Sequence, residues 1–186
     1  MPSVAESPRT VVLLRGVNVG GHRLAMTDFR ATLESLGCTD VVTYIQSGNA
    51  VVTPPPNLSP RGPELEQILS AAIGEVAGYE VPVVTRTADE LAAIVDAKPY
   101  EVEQGKQLHV TFFSLPPAST LLDGLDLDAF LPEACTVSGR EIYLYVPKGM
   151  GVAKLPVQLE RAARRTGKPG TTRNWNSVLK LLSLAQ

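Results

Sequence analysis

The chain has 186 residues, of which 44% are hydrophobic and 19% are charged, and its formal net charge is −2. This length suits one compact domain or two small ones, and the apolar content is sufficient for a buried core. No apolar stretch approaches the roughly 20 residues that a membrane-spanning helix needs. The opening segment, MPSVAESPRT, contains acid and proline where a signal peptide needs an apolar run. We therefore expect a cytoplasmic protein rather than a membrane protein.

The first half of the chain alternates between apolar β-rich runs and segments in which apolar residues recur at helical spacing. After a loose tail at 1–8, the predicted elements are a strand at 11–15, a helix from Thr27 to Gly37, strands at 41–46 and 49–53, a helix at 64–77, a strand at 81–86 and a short helix to about Val95. Thr27 is the expected cap of the first helix, and Thr87 with Glu90 forms a capping-box pattern. Ser47-Gly48 predicts a two-residue hairpin turn.

The second half repeats this order less completely. Its predicted elements are a strand at 107–114, one or two helical pieces at 117–130, strands at 135–138 and 140–146 around a second hairpin turn at Ser138-Gly139, and a helix at about 152–166. An offset of 91 residues places 172–177 opposite the strand at 81–86, but these residues do not resemble a strand. We expect them to open a final helix that buries Trp175, Val178, Leu179 and Leu182 on one face.

The repeat predicts an α+β fold, because β-α-β-β-α in each half is the ferredoxin-like order. We expect two ferredoxin-like βαββα-type subdomains, residues 9–97 and 98–186, packed as one compact unit with an extra C-terminal helix.

The charged residues are distributed unevenly along the chain. Residues 148–186 carry eight basic groups and one acid, whereas the rest carries nine basic and eighteen acidic groups. Such a segment either attracts anions or pairs with the acidic part of the protein.

The glycine-rich segment RGVNVGGHR at 15–23 is the first candidate site. Gly16 and Gly21 have the glycine spacing of a phosphate loop, but His22 and Arg23 stand where that motif needs Lys and Ser/Thr, so a Walker site is rejected. Gly20-Gly21 can still bring backbone N–H groups close to an anion. The alternative is a structural connector.

Three further polar segments are candidates. In QSGN at 46–49, the amides of Gln46 and Asn49 either orient a ligand or only form a turn. Near the C-terminus, Thr172 or Asn174 can cap the final helix, whose N-terminus with Arg173 suits phosphate or carboxylate. Lys154 opens the basic helix and either reaches an anion or is solvated. For the segment from Thr172 to Asn174, the alternative to ligand binding is a helix cap beside a surface arginine.

Conventional catalytic and metal-binding motifs are missing from the sequence. His22 and His109 have no Glu or Cys at metal-ligand spacing, and no GxSxG occurs. Cys38 and Cys135 form no CxxC motif, so we expect neither a disulfide framework nor a zinc site. Neither a catalytic residue nor a cofactor can be assigned.

The segments LLRGVNVGG (13–21), TYIQSGNAVV (43–52), AKL (153–155) and TTRNWNSVLKLL (171–182) resemble one bacterial family, labelled domain of unknown function 1697. The resemblance spans about Val11 to Leu184. It implies paired ferredoxin-like subdomains and no established activity. The recurrent polar positions that it implies are Arg15, Asn18, Gly20, Gly21, Ser47, Gly48, Asn49, Lys154, Thr172, Arg173 and Asn174. The chain departs from the family at Ala153 and Pro156, where hydroxyl residues are common.

Each of these positions except Gly48 is a candidate ligand-binding residue. Our leading hypothesis is a protein that binds a small phosphate-bearing or other anionic, nucleotide-like ligand in a cleft between the subdomains. Arg15, Lys154 and Arg173 would supply charge, the three asparagines would orient the ligand, and Gly20-Gly21 would allow close approach. The alternatives are a nucleic-acid-binding protein that uses the basic C-terminal segment, and a structural or interaction protein in which these motifs are caps and turns.

Overall fold

The computed structural model describes residues 8–167 and 169–186, so the tail predicted at 1–8 lies outside the described residues except for Pro8, as does Lys168. The described chain divides into two compact units, residues 8–93 with 181–186, and residues 94–180. Among the described helices, none combines the length and apolar character that a bilayer crossing demands.

The first unit is built on a four-stranded antiparallel sheet with the order β2-β3-β1-β4. The elements in chain order are β1 (Thr10–Leu14), α1 (Met26–Ser35), β2 (Thr39–Tyr44), β3 (Asn49–Thr53), α2 (Pro63–Ala77), β4 (Val83–Thr87) and α3 (Ala88–Asp96). Val12 and Leu14 of β1 share a buried cluster with Phe29 and Leu33 of α1 and with Leu69 of α2, so both helices cover the same face. This confirms the predicted order of elements in the first half.

The second unit contains a matching four-stranded antiparallel sheet with the order β6-β7-β5-β8. Its elements are β5 (Leu108–Phe112), β6 (Ala134–Ser138), β7 (Glu141–Tyr145), α4 (Leu155–Arg165), β8 (Thr171–Asn174) and the first part of α5 (Trp175–Ala185), whose residues from Leu181 onward belong to the first unit. Leu155 and Leu159 of α4 pack against Ile142 and Leu144 of β7. The predicted α+β fold class is therefore confirmed, with one antiparallel sheet in each half.

The expectation that residues 172–177 lack a strand is wrong. Residues 171–174 form β8, which pairs with β5 from His109↔Asn174 to Phe112↔Thr171. Thr171 and Arg173 are buried while Thr172 and Asn174 are exposed, which is the period of two of a half-buried strand. The polar composition hid this pattern, because β propensity depends on where a strand packs more than on its residues.

Three local predictions also need correction. The helical pieces expected at 117–130 are replaced by turns and one 3-10 segment, Leu127–Phe130, in a stretch where Gly124 has φ +77°. The first hairpin loop has four residues, 45–48, and the second is centred one residue later than expected, since Ser138 pairs with Glu141. On α5 Leu179 is 41% exposed, and the buried residues are Trp175, Ser177, Val178, Leu181 and Ala185.

Candidate functional site

The segment between β1 and α1 is held in shape by the side chain of Asn18. Its Nδ2 donates to the carbonyl oxygens of Leu24 (3.0 Å) and Gln46 (2.7 Å), and its Oδ1 accepts from the Leu24 N–H (3.0 Å). Asn18 has φ +56°, a left-handed conformation that Asn tolerates better than most residues. The side chain therefore closes the loop and ties it to the β2–β3 hairpin.

This closed loop borders a surface pocket of about 680 Å³ in the first unit, which we call the loop pocket. Its lining consists of Asn18, Val19, Gly20, Gly21, His22, Arg23, Leu24, Ala25, Met26, Thr27 and Gln46. The volume lies within the range of about 300–1,000 Å³ that small-molecule sites occupy. The structure thus brings together three predicted site residues, Asn18, Gly20 and Gly21, with the turn residue Gln46.

One wall of the loop pocket is the first turn of α1. The predicted cap at Thr27 is wrong: Ala25 is the N-cap residue, with no side-chain capping hydrogen bond, and Thr27 lies inside the helix. The first amides of a helix have no partner within the helix, and the positive end of its dipole favours anions. Ala25, Met26 and Thr27 all line the pocket, so these amides adjoin it.

The glycine pair supplies further hydrogen-bond donors. Gly20 (φ +57°) and Gly21 (φ +90°) both adopt left-handed conformations, and a Cβ at either position would meet no atom within 4 Å. Among the described residues, no acceptor takes the N–H of Gly20, Gly21 or Arg23, whereas His22 N donates to Val19 O (3.0 Å). Successive N–H groups in such a turn form a concavity suited to anions.

Two side chains add charge and a flat surface to the pocket. Arg23 is exposed and lines it, so the pocket has a guanidinium side chain among its lining residues. The exposed His22 ring packs on Tyr79, with ring centroids 4.3 Å apart and planes inclined by 54°. The sequence showed His22 and Arg23 only as departures from a phosphate loop, so neither was among the predicted site residues. Their position directly after the glycine pair was the signal that could have identified them.

The predicted residues around the hairpin have structural contacts. Asn49 is fully buried, and its Nδ2 donates to Tyr44 O (3.1 Å) and Ser47 Oγ (2.9 Å). Arg15 is half-buried directly after β1, and its backbone N–H donates to Pro82 O (2.9 Å). None of Arg15, Ser47 and Asn49 lines the loop pocket. Asn49 therefore organises the turn, which is one of the two roles that the sequence left open for it.

In the second unit, Lys154 lies at the N-cap position of α4 and lines a different pocket of about 320 Å³. The carboxylate of Glu133 accepts the N–H groups of Lys154 (3.0 Å) and Leu155 (2.7 Å). An internal anion thus already occupies this helix N-terminus, where it complements the dipole. Glu133 was not singled out in the sequence, because its partners are backbone groups 21 and 22 residues away.

The TTRN segment forms β8, and its side chains alternate between the two faces of the sheet. Thr172 Oγ1 lies 2.8 Å from Thr111 Oγ1, and Asn174 Oδ1 accepts the Ser177 N–H (2.8 Å), so Asn174 caps α5 as predicted. Arg173 is 7% exposed and its Nη1 donates to Thr171 Oγ1 (2.7 Å). Burial lowers the pKa of Arg173 to about 10. None of the three residues lines either of the two pockets.

A buried arginine recurs at the same place in both sheets. Arg86 of β4 is opposite Val11 of β1, and Arg173 of β8 is opposite Val110 of β5. Arg86 is fully buried, and its Nη1 donates to Thr85 O (2.6 Å).

Within the described residues, no three His, Cys, Asp or Glu side chains are grouped so that they could hold a metal ion.

Comparison with known proteins identifies the family. The family described as "Protein of unknown function (DUF1697)" matches residues 8–143. The solved structure of the conserved bacterial protein SP0830 from Streptococcus pneumoniae is similar to this chain, with a TM-score of 0.69 and 18% sequence identity over 96% of this chain and 99% of that one. No curated protein matched. The similarity to SP0830 shows a shared fold, and the family match shows that the chain belongs to the DUF1697 family, whose function is unknown.

Proposed function

We propose that the loop pocket binds a small molecule through a phosphate or another anionic group. The observation that carries the proposal is that several donors belong to residues that line one pocket: the N–H groups of Gly20 and Gly21, the uncapped first turn of α1, and the Arg23 side chain. Phosphate oxygens accept several hydrogen bonds at once, so backbone donors beside a guanidinium suit them. The nearest acid in α1, Asp28, does not line the pocket.

The proposal changes the roles of the predicted residues. Gly20 and Gly21 keep the role of close backbone approach, and Arg23 takes the charged role that was predicted for Arg15. Asn18 shapes the pocket wall and Asn49 organises the hairpin turn, instead of binding the ligand, because their amides are already hydrogen-bonded to the protein. The ligand is placed in the first unit alone, so Lys154, Thr172, Arg173 and Asn174 have no part in it.

A thermal-shift experiment at low salt tests the proposal with Arg23→Ala and Arg30→Ala as a matched pair. Arg30 is an exposed arginine of α1 that pairs with Glu34 outside the pocket, so both variants remove one positive charge from the same region. Ligand binding to the folded state raises the melting temperature. We expect inorganic phosphate and ribose 5-phosphate to stabilise the native chain and Arg30→Ala, and Arg23→Ala to weaken binding about tenfold, as loss of a charged hydrogen bond does.

Two results would contradict the proposal. One is the absence of any shift with phosphate, ribose 5-phosphate or citrate for the native chain. The other is an equal loss of phosphate affinity in Arg23→Ala and Arg30→Ala, because attraction that depends only on total charge does not distinguish these two arginines.

A further inference from the structure

The loop pocket also has apolar walls, and these bear on the rest of its ligand. Val19, which lines the pocket from the glycine-rich segment at 15–23, is 60% exposed. Met26 and the buried Leu24 contribute further apolar lining. A phosphate ion alone would occupy only a small part of about 680 Å³. The remaining space is bordered by apolar atoms, which favour an apolar or aromatic group over a strongly hydrated one.

The His22 ring gives this surface a defined orientation. It packs on Tyr79, and Tyr79 in turn packs against the core of the first unit. The hydroxyl of Tyr79 is buried without a hydrogen-bond partner among the described residues, so packing alone determines its position. A histidine ring held in this way is a ready surface for stacking on a planar ring.

Few polar side chains remain free to recognise sugar hydroxyls. The amide of Asn18 is engaged with Leu24 and Gln46, so that apart from His22 and Arg23 the described lining offers the polar side chains of Gln46 and Thr27. A ligand whose second part is an aromatic ring therefore matches the pocket better than one whose second part is a bare sugar.

Resting on the proposed function, we infer that the loop pocket recognises phosphorylated molecules that carry a planar aromatic ring, of the nucleoside monophosphate class. The phosphate binds at Gly20, Gly21 and Arg23. The ring stacks on His22, with Val19 at its edge. Base stacking on aromatic side chains is tolerant of base identity, so the site distinguishes ring from no ring more strongly than one base from another.

Equilibrium binding of adenosine 5′-monophosphate and ribose 5-phosphate to the native full-length chain tests this inference. We expect the nucleotide to bind at least about tenfold more tightly, within the range that stacking supplies. His22→Ala should remove this advantage and leave ribose 5-phosphate affinity within about twofold, and His22→Phe, which retains a ring, should preserve it. Val19→Ala, at a side chain that is 60% exposed, should reduce the difference in affinity between the nucleotide and ribose 5-phosphate without affecting folding.

The inference is overturned if both compounds bind equally well, or if His22→Ala weakens both to the same extent. In either case Arg23-dependent binding of ribose 5-phosphate would leave the proposed function standing. If neither compound nor inorganic phosphate binds, the proposed function is wrong and this inference falls with it.

Discussion

The imidazole of His109 lies on β5 with 9% of the residue exposed, and its Nδ1 has no hydrogen-bond partner among the described residues. Burial lowers the pKa of His109 below its ordinary value of 6.5, because desolvation disfavours the charged form. The folded state therefore holds this side chain neutral, while the unfolded chain binds a proton more readily.

This difference predicts an acid-sensitive stability. The contribution of His109 is fully present above pH 6.5 and is lost as the pH falls through 6.5 toward the lower folded pKa, because the unfolded state then binds more protons. We expect His109→Phe to flatten the fall in the free energy of unfolding between about pH 7 and 5, measured by urea denaturation. An equal slope in His109→Phe and in the native chain would contradict the assignment.

Single residues also mark the limit of sequence reasoning. The sequence placed Asn18, Asn49 and Asn174 correctly in loops or at element ends, but it could not show that each amide is already bonded to the protein. Hydrogen-bond satisfaction depends on contacts such as Asn18 to Gln46, which are 28 residues apart. Candidate polar residues can therefore be identified from the sequence, whereas their availability to a ligand cannot.

The β2–β3 hairpin is the element that most directly supports the loop pocket. Gly48, the last residue of the hairpin loop at 45–48, has φ +76°, and its carbonyl accepts the Leu14 N–H (2.8 Å). A Cβ on Gly48 would lie 2.6 Å from Val17 Cγ2 and 2.7 Å from Leu14 Cβ. The hairpin can therefore approach the end of β1 this closely only with glycine at this position.

Gly16 offers a matched comparison for Gly48. Its φ of +74° is nearly the same, but a Cβ there would meet no atom within 4 Å. We expect Gly16→Ala to cost about 1 kcal/mol of stability from backbone conformation alone. Gly48→Ala should cost about 1–3 kcal/mol more from overpacking. Similar losses in chemical denaturation would show that the hairpin adjusts easily and that the close approach is unimportant.

Elements with strong local signals were predictable. The capping box of α3 is present, with Thr87 N donating to Glu90 Oε2 (3.0 Å) and Glu90 N donating to Thr87 Oγ1 (3.2 Å). The helix α2, Pro63–Ala77, begins one residue before the predicted 64–77 and ends at the same residue. The strand β8 was not predictable from its own four polar residues, which become a strand only by pairing with β5, some 60 residues earlier. The only signal for it was the 91-residue offset, which placed 172–177 opposite the strand at 81–86. Local patterns determine helix ends well, while an edge strand depends on its partner.

At the scale of the whole molecule, the two units repeat one sheet order but differ where the proposed site lies. Between β1 and β2 the first unit contains the glycine-rich segment at 15–23 and α1, whereas the described chain between β5 and β6 forms only turns and a short 3-10 segment. The two sheets share a buried arginine, Arg86 or Arg173, which points to a role in the fold. The basic C-terminal segment is partly paired internally, as in Arg164 with Glu160 (2.8 Å). These differences favour the first unit as the functional one.

The most direct measurement of the central claim is a titration of the native chain with inorganic phosphate, followed by amide chemical shifts in two-dimensional NMR. The account predicts saturable shifts of the Gly20 and Gly21 amides and of the first turn of α1, which Arg23→Ala weakens and Arg30→Ala does not. The amides of Lys154 and Leu155, already bonded to Glu133, should not move. Unchanged Gly20 and Gly21 amides at saturating phosphate, or shifts confined to Lys154 and Leu155, would contradict the claim that the loop pocket binds anions.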